Sequence, residues 1–312
     1  MMDSVSRLLR MARLSAQLDK RCLLGGATRM EVSAYGEFEA AFHVLLEGEC
    51  RLQVGSTVLY LEAGDVVVIP SGAPHRVITP GPGPGRGTAE TAGEVFVTTR
   101  SDGDDTAPVI DLFCGRYRFD SGAGAVLFRS LPDPVHVSFG ASPESDEVLR
   151  MLSALMRLEA QREGAGTAAI LASLCTVLLA MVLRTSAGRA TSNIVWTAAA
   201  DRSVAEAVEA ILNDPGADWT IEVLSRAAAM SRATFQRRFS RETGMTVGGF
   251  LAKARLMAAT ELLGSSDATV ADIAGRVGYH SESAFSRAFR AEIGTTPARF
   301  RRDQSQRHRT GP

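Results

Sequence analysis

A short motif occurs twice in the last third of this chain. It reads MSRATFQRRFSRETGMTVGGF from Met230 to Phe250 and HSESAFSRAFRAEIGTTPARF from His280 to Phe300. Nine residues in and just before the first copy are identical to those fifty positions later: Arg226/Arg276, Ser231/Ser281, Phe235/Phe285, Arg237/Arg287, Phe239/Phe289, Glu242/Glu292, Gly244/Gly294, Thr246/Thr296 and Phe250/Phe300. Identities in one register indicate an internal duplication, so the fold must contain the same supersecondary unit twice.

Each copy is predicted to form two helices joined by a short turn. The first helices lie within WTIEVLSRAAAM and TVADIAGRVGY, and the second ones begin at Ser231 and Ser281. Serine is a good N-cap because its side-chain oxygen accepts a hydrogen bond from a free backbone N–H of the first turn. Two helices joined this tightly are typical of a helix-turn-helix.

The second helix of each copy is predicted to bury one face and to expose the other. Phe235 and Phe239 are four residues apart, as are Phe285 and Phe289, so each pair lies on one side, in the core. The outward sets are Arg232, Ala233, Gln236 and Arg237 in the first copy, and Glu282, Ser283, Ser286 and Arg287 in the second. Arg, Gln and Glu can pair with the major-groove edges of guanine, adenine and cytosine.

The charge distribution favours a nucleic acid as the partner of these helices. The formal net charge is only −1, but residues 218–302 hold thirteen Arg or Lys against eight Asp or Glu. A basic segment behind an acidic one indicates a polyanionic partner. A solvated polar face is the alternative for a single helix, whereas two copies in a basic segment favour DNA reading. We expect Arg241, Lys253 and Arg290 to attract phosphates.

Residues 201–302 resemble the AraC/XylS-type DNA-binding domain, in which a long helix joins two helix-turn-helix units. The matching stretches are MSRATFQRRFSRETGMTV, ARLMAATELL and VADIAGRVGYHSESAFSRAFRAEIGTTPARFR. The resemblance implies that base edges of double-stranded DNA are faced by Ala233, Gln236, Arg237, Glu282, Ser283 and Arg287. Ala233 stands where some members have a large side chain, so we expect Gln236 and Arg237 to dominate base discrimination in the first unit.

From Met30 to Val137 the pattern is that of short strands separated by Gly and Pro turns, which is typical of a barrel or a sandwich. The stretch GDVVVIPSGAPH, residues 64–75, is similar to the second cupin motif, and FHVLLEGECRL resembles the first. Many cupins bind a metal through three His and one Glu, which raises the alternative of a metalloenzyme. Here Ala41 lies where that Glu is expected and no His-x-His precedes it. We therefore predict no metal, no cofactor and no enzyme activity.

Two histidines remain candidates for the interior of the barrel. His43 has the same strand parity as Ala41 and is expected to point inward, toward His75. Either the two imidazoles are satisfied structural groups, or they contact an effector. A metal held by two imidazoles alone would be weakly bound.

The cysteines provide a second hypothesis for sensing. Cys22 follows Lys20 and Arg21, and Cys114 precedes Arg116, so nearby cations could favour the reactive thiolate. Cys50 and Cys175 lie in apolar runs and are expected to be inert. The stretches DKRCLLG and CGRYRF match an AraC-type subgroup that responds to reactive chlorine species. That resemblance implies oxidation at Cys22, resolved by Cys114. The alternative is two ordinary buried thiols and a small organic effector in the barrel.

One charge-free segment, GAGTAAILASLCTVLLAMVL from Gly164 to Leu183, is about long enough to cross a bilayer. We predict instead a buried or dimer-forming helix, because a spanning one would separate the sensor from cytoplasmic DNA. Its buried stripe is predicted to be Ile170, Leu174, Leu178 and Met181. The N-terminus lacks the apolar core of a signal peptide.

Together these features predict an α+β chain. We expect a cupin-like sensor barrel at 1–140, a helical dimerisation and linker segment at 141–200, a double helix-turn-helix at 201–302 and a disordered tail at 303–312. The predicted function is a cytoplasmic, homodimeric transcription regulator. The family resemblance implies an activator that also contacts RNA polymerase. A constitutive DNA-binding protein with a vestigial barrel is a further alternative.

Overall fold

The computed structural model describes residues 3–103, 107–139, 143–162, 164–184 and 201–309. The strands are β1 (Ser15–Leu24), β2 (Arg29–Val32), β3 (Glu39–Glu47), β4 (Glu49–Val54), β5 (Thr57–Glu62), β6 (Asp65–Ile69), β7 (His75–Ile78), β8 (Thr88–Ala92), β9 (Val97–Ser101), β10 (Ile110–Arg118) and β11 (Val135–Ser138). The first helices are α1 (Ser4–Met11), α2 (Ala123–Arg129), α3 (Pro143–Arg162), α4 (Thr167–Arg184) and α5 (Arg202–Asn213). The others are α6 (Ile221–Ala227), α7 (Arg232–Thr243), α8 (Val247–Ser265), α9 (Val270–Arg276), α10 (Glu282–Ile293) and α11 (Pro297–Arg309). The fold is α+β, which confirms the predicted class.

The strands form two sheets that pack face to face. The larger sheet has the order β11-β6-β3-β10-β1-β9-β8, and the smaller one has the order β2-β7-β4-β5. Leu45 and Leu112 of the larger sheet pack with Leu52 and Val77 of the smaller one in a common apolar cluster. The resulting two-sheet barrel is the cupin-like domain that the sequence predicts.

The central strand β3 is buried on both faces. Ala41 and Leu45 belong to the cluster between the sheets, whereas Phe42 and Val44 pack in the cluster that includes the helices. Because side chains alternate along a strand, His43 points into the barrel together with Ala41. Its relative exposure is 0%.

Two glycines of the cupin-like motifs allow close approaches of the backbone. Gly48 has φ +79°, and a Cβ there would lie 2.0 Å from the carbonyl oxygen of Val109. Gly72 has φ +62°, and its Cβ would lie 2.8 Å from the carbonyl oxygen of Glu39. Both positions therefore require glycine for steric and conformational reasons.

The strand β1 extends the predicted β region toward the N-terminus. We expected the strand pattern to start at Met30, but β1 begins at Ser15. The charges of Asp19 and Arg21 interrupt the alternation that marks a strand. In the fold they are paired: Arg116 Nη2 lies 3.0 Å from Asp19, and Arg21 Nη2 lies 2.9 Å from Asp111.

By length and composition alone α4 could cross a membrane, with a mean hydropathy of 2.0. It packs instead on β1, and the Tyr117 hydroxyl of β10 donates a hydrogen bond of 2.9 Å to the carbonyl of Cys175. The predicted buried stripe is partly wrong, because Ile170 is 40% exposed. Leu178 and Met181 are buried as predicted. The other buried apolar side chains of α4 are Leu171, Cys175, Leu179, Val182 and Leu183.

The C-terminal helix corrects the predicted disordered tail. We placed the end of the folded domain at residue 302, but α11 continues to Arg309. Gln304 is only 7% exposed, so packing holds this part of the helix in place. Residues 310–312 and the predicted linker at 185–193 lie outside the described residues.

The barrel and the C-terminal helices share an apolar cluster. Leu8 of α1 packs in the same cluster as Val204 of α5 and Met257 of α8. Arg7 of α1 donates hydrogen bonds to the carbonyls of Leu212 (3.3 Å) and Asn213 at the end of α5. The helix α2, which follows β10, packs against α8. The cupin-like domain is therefore in direct contact with the helix that joins the two duplicated units.

Candidate DNA-reading helices and a buried thiol–imidazole cluster

The duplicated units form two helices of the same length with the same ends. Both α7 and α10 have twelve residues. The hydroxyls of Ser231 and Ser281 each accept a hydrogen bond of 3.2 Å from a backbone N–H three residues on. Gly244 and Gly294 end the helices with φ +68° and +83°, the left-handed conformation that favours glycine.

Each unit also contains the same aromatic core. The centroids of Phe239 and Phe250 lie 5.6 Å apart at an interplanar angle of 75°, and the rings of Phe289 and Phe300 have the same distance and angle. Phe235 and Phe285 complete the two clusters. All four helix phenylalanines are 0% exposed. The duplication is thus a repeat of packing as well as of sequence.

The fifty-residue register holds for the second helices but not for the first. The helix α6 begins at Ile221 and α9 at Val270, a shift of forty-nine. The left-handed residues of the turns, Ala229 and Gly278, show the same shift. The second turn therefore contains one extra residue before its serine cap. As a result, Arg226 and Arg276 do not occupy equivalent positions in the two units, although they are identical and fifty residues apart.

The residues predicted to read bases lie on the exposed faces of α7 and α10. All seven are exposed: Arg232, Ala233, Gln236, Arg237, Glu282, Ser283 and Arg287. Arg232 Nη1 lies 2.6 Å from Glu222 Oε1, so an acidic residue of α6 orients the first arginine. The opposite faces hold the phenylalanine cores. Each helix thus offers only one polar face, and that face carries the predicted readers.

The three predicted phosphate contacts have different surroundings. Arg241 and Arg290 are exposed at the ends of α7 and α10, and Arg241 Nη2 lies 3.1 Å from Glu242. Lys253 of α8 is only 25% exposed, and its ammonium donates a hydrogen bond of 2.9 Å to Glu292 of α10. Lys253 therefore links the connecting helix to the second unit, whereas the two arginines are exposed to solvent.

Arg255 has a structural role that its sequence context did not predict. It donates hydrogen bonds to the carbonyls of Pro215 (2.9 Å) and Ala217 (3.2 Å), and its guanidinium lies 5.9 Å from the Tyr279 ring centroid. It thus fixes α8 to the segment before α6 and to the turn of the second unit. The available signal was an arginine at the start of the stretch ARLMAATELL, two residues after Lys253.

In the barrel, Cys22 and Cys114 lie side by side. On the paired strands β1 and β10, Cys22 is opposite Leu112, so Cys114 is its diagonal neighbour on the same face. Their sulfur atoms are 3.6 Å apart, and the Met30 sulfur lies 3.5 Å from that of Cys22. Both cysteines are free and buried. The structure therefore brings together two thiols that are 92 positions apart in sequence.

The two predicted histidines join this cluster. The Cys114 sulfur lies 3.1 Å from His43 Nδ1, and His43 Nε2 lies 2.7 Å from His75 Nε2. His75 Nδ1 is 2.7 Å from the carbonyl oxygen of Ala73. A continuous chain of contacts thus runs from Cys22 to Ala73. We refer to Cys22, Cys114, His43 and His75 as the thiol–imidazole cluster.

Hydrogen bonding and burial favour the neutral forms of Cys114, His43 and His75. The hydrogen bond with Cys22, and then burial, raises the pKa of the Cys114 thiol well above its ordinary value. Burial and the neighbouring His75 hold the pKa of His43 well below 6.5, and burial also lowers the pKa of His75. The cations expected to favour a thiolate are occupied elsewhere, since Lys20 pairs with Glu90 and Arg116 with Asp19. For Cys114 the environment thus opposes the predicted thiolate.

The cluster is not built like a metal site. The two ring nitrogens of His43 contact Cys114 and His75, and those of His75 contact His43 and the carbonyl oxygen of Ala73. The donor atoms therefore form a line and do not converge on one point, as a metal requires. Among the described residues, no group of three His, Cys, Asp or Glu side chains is arranged to hold an ion.

Comparison with known proteins identifies both parts of the chain. The cupin family model matches residues 3–188, and a helix-turn-helix domain model matches residues 224–303. An uncharacterized HTH-type transcriptional regulator of Haemophilus influenzae is 30% identical over 97% of this chain and 100% of its own length. The RCS-specific HTH-type transcriptional activator RclR of Escherichia coli K12 is 27% identical over 96% of this chain and 97% of its own. MtrA, an HTH-type transcriptional regulator of Neisseria gonorrhoeae, is 27% identical over 98% and 100%.

Among solved structures, the DNA-binding domain of AdpA in complex with a target DNA is 36% identical. It covers 35% of this chain and 98% of that domain, with a TM-score of 0.34. The two matched domains and the full-length likeness to regulators show that this chain belongs to the AraC/XylS family of DNA-binding transcription regulators, with a cupin domain at its N-terminus.

Proposed function

We propose that this regulator is a cytoplasmic activator that senses oxidants through Cys22 and Cys114. The observation that carries the proposal is the 3.6 Å distance between their sulfur atoms. A disulfide bond has a length of about 2.0 Å, so an approach of roughly 1.6 Å is enough to form one. The relative RclR is named as an RCS-specific activator, which supports both an oxidant signal and activation as the output.

A direct structural route joins the two cysteines to the DNA-binding helices. Cys114 lies on β10, and the chain continues from β10 into α2, which packs on α8. A disulfide would fix β10 against β1 and shift its C-terminal end. Because α8 joins the two helix-turn-helix units, movement of α2 would change how α7 and α10 are presented to DNA. This is the coupling that a switch between two states requires.

The proposal assigns sequence reading to the exposed faces of α7 and α10. Two recognition helices held by one connecting helix are expected to enter successive major grooves, about 34 Å apart. Arg237 and Arg287 would bridge guanine, and Gln236 would bridge adenine. Arg241 and Arg290 would contact phosphates. Lys253, whose ammonium is paired with Glu292, would contribute less to phosphate binding.

A homodimer is part of the proposal, and α3 carries the surface that supports it. Four apolar side chains, spaced three or four residues apart, form one exposed stripe: Val148 (41%), Met151 (60%), Leu155 (45%) and Leu158 (48%). Such spacing is typical of the contact seam between paired helices. An activator acts on RNA polymerase, which is therefore the other protein partner proposed. No catalytic reaction is assigned to the cupin domain.

The experiment that tests the proposal is a promoter reporter in cells. Wild-type protein, the Cys22→Ser, Cys114→Ser double variant and a Cys50→Ser control are compared with and without hypochlorous acid. Cys50 is a buried thiol of the same barrel, and burial raises its pKa to about 12. We expect wild type and the control to activate and the double variant to remain at the basal level. Normal activation by the double variant would refute sensing by these cysteines.

A small organic effector is the second candidate, because the barrel has a cleft of suitable size. This cleft has a volume of about 540 Å³ and is lined by residues of 17–20, 31–35 and 93–97 together with Arg116. Ligand sites of small molecules are typically of this size. Neither His43 nor His75 is among its lining residues. Activation by a small molecule in the cysteine double variant, without oxidant, would favour this candidate.

A further inference from the structure

The contacts of the two imidazoles fix the positions of their protons. A carbonyl oxygen only accepts hydrogen bonds, so His75 Nδ1 must carry the proton that it donates to Ala73. In the neutral imidazole His75 Nε2 is then an acceptor, and His43 Nε2–H donates a hydrogen bond to it. His43 Nδ1 is left with a free lone pair directed at the Cys114 sulfur, 3.1 Å away. Cys114 therefore donates its thiol proton to His43.

The other end of this chain reaches the protein surface. His75 is 4% exposed and lies at a surface pocket of about 200 Å³. The pocket is also lined by Glu31, Gln53, Gly55, Pro74 and Arg76. The thiols themselves have almost no exposed area, with Cys22 at 0% and Cys114 at 2%. The two imidazoles thus form a polar connection between a buried sulfur atom and solvent.

We propose that His43 and His75 form a proton relay: as Cys114 is oxidised, its thiol proton passes to His43 Nδ1 and the Nε2 proton of His43 passes to His75, which holds the positive charge at the edge of this pocket. This inference rests on the proposed oxidant sensing and adds its mechanism. His43 is the proton acceptor in contact with the reacting sulfur. His75 holds His43 in the accepting tautomer and takes up the proton that His43 gives up from Nε2.

The relay solves a chemical problem that burial creates. The thiolate is the form of cysteine that reacts, but a buried charge without a partner is unfavourable. The raised pKa of Cys114 means that the thiolate is rare at neutral pH. His43 is neutral there, so its Nδ1 lone pair is available to the thiol. Its lowered pKa makes it a weak base, so the proton moves only as the sulfur attacks the oxidant. A base in hydrogen-bond contact allows the proton to leave during the reaction itself.

With an electrophilic chlorine donor such as taurine chloramine, the reaction has two steps. The Cys114 sulfur loses its proton to His43 and attacks chlorine, so an S–Cl bond forms, the N–Cl bond breaks and the leaving nitrogen takes up a proton. The Cys22 sulfur then attacks Cys114, an S–S bond forms and chloride leaves. The Cys22 proton and the chloride are released together to solvent. The two thiols lose two electrons, which reduce the chlorine to chloride.

The test measures how fast the full-length protein forms the Cys22–Cys114 disulfide with taurine chloramine. Samples are quenched with a thiol-alkylating reagent, and the disulfide is quantified by mass spectrometry between pH 6 and pH 9. The variants are His43→Gln and His75→Gln, and His136→Gln is the control. His136 is a half-buried histidine of the same domain that bonds Asp65, 2.9 Å away, and does not touch the thiols.

At pH 7 we expect both cluster variants to form the disulfide at about one tenth of the wild-type rate or below. The control should form it at the wild-type rate. The variants should approach the wild-type rate as pH rises, because hydroxide replaces the missing acceptor. A merely structural role would not produce this pH dependence. The titratable or charged groups that face Cys114 besides the cluster are Lys20, Tyr35 and Cys50, and they are unchanged in every variant.

The outcomes separate the relay from the proposed function. If wild type forms no Cys22–Cys114 disulfide, both are overturned. If wild type forms it and both histidine variants match its rate and pH profile, the relay alone is overturned. Circular dichroism verifies folding, and His75→Gln, at the surface end of the cluster, gives the result if His43→Gln does not fold.

Discussion

The role proposed for each polar side chain in this protein depends on its position and its partners. Arg287 and Arg290 lie three residues apart on α10 and therefore on the same side of the helix, but only Arg287 is among the predicted base readers. Arg290 lies in the last turn of that helix. Lys253 is a cation of the same domain, but its pairing with Glu292 makes it a structural link. The same residue types thus receive three different roles.

The Arg287→Ala variant tests the assignment of base readers. We expect it to lose about 1–3 kcal/mol of affinity for the preferred site and to bind other sequences almost as before, because it removes a base contact. The matched control, Arg290→Ala, is expected to weaken binding to all sequences equally. Fluorescence anisotropy with specific and scrambled duplexes measures both. Equal losses on the two duplexes for Arg287→Ala would contradict its assignment as a base reader.

The buried histidines predict a dependence of stability on pH. The pKa values of His43 and His75 are lowered in the folded protein, whereas both return toward 6.5 on unfolding. Below pH 6.5 the unfolded state therefore binds more protons than the folded one, and stability falls as the pH is lowered. Above pH 6.5 this contribution to stability is fully present.

Urea unfolding at pH 7.5 and pH 5.5 measures this effect. We expect wild type to lose more unfolding free energy between the two values than His43→Gln, which cannot bind a proton. An equal loss in both proteins would show that His43 does not stay neutral in the fold.

At the scale of elements, the contact between α2 and α8 is the proposed point of transmission. Gly122 caps α2, and a Cβ there would lie 2.8 Å from Thr260 Cβ and 2.9 Å from Phe300 Cζ. Contacts below 3.0 Å force the neighbouring groups apart. A methyl group at this position would therefore displace α2 from α8 and α11 without touching the cysteines.

We expect Gly122→Ala to form the Cys22–Cys114 disulfide normally but to show a reduced transcriptional response to oxidant. The control is Gly248→Ala, since a Cβ on Gly248 of α8 has no atom within 4 Å. It should respond like wild type and be slightly more stable, because alanine favours a helix over glycine. A full response by Gly122→Ala would show that the signal does not pass through α2.

The sequence predicts the elements that follow local rules. The serine caps, the phenylalanine pairs and the inward parity of His43 all depend on spacing within one helix or strand. The distance between Cys22 and Cys114 could not be predicted, because it arises from the pairing of two strands far apart in sequence. The strand β1 was missed since its charges are satisfied only by β10 and its neighbours. The one-residue difference between the turns is hidden by a chance identity of Arg226 and Arg276.

At the scale of the whole molecule, the exposed stripe on α3 is the proposed dimer contact. The Leu155→Asp, Leu158→Asp double variant would bury two charges in that contact and is expected to be monomeric. Tyr60→Asp is the control, because Tyr60 of β5 is 73% exposed and lies outside the stripe. Analytical ultracentrifugation determines the masses. A dimer of unchanged stability in the double variant would exclude this surface.

A shared apolar cluster joins the barrel to the DNA-binding helices. Leu8, Val204 and Met257 come from three parts of the chain and pack together. A change in the barrel can therefore alter the DNA-binding helices by contact, without a partner protein. Couplings of this kind typically amount to about 1–3 kcal/mol.

The most direct test is the affinity for the operator, measured on samples whose Cys22–Cys114 disulfide content is determined by mass spectrometry. We predict that affinity rises about tenfold, or roughly 1.4 kcal/mol, from fully reduced to fully oxidised wild type, and that it does not change in the Cys22→Ser, Cys114→Ser variant. An affinity that is independent of disulfide content, or that changes equally in the variant, would contradict the account.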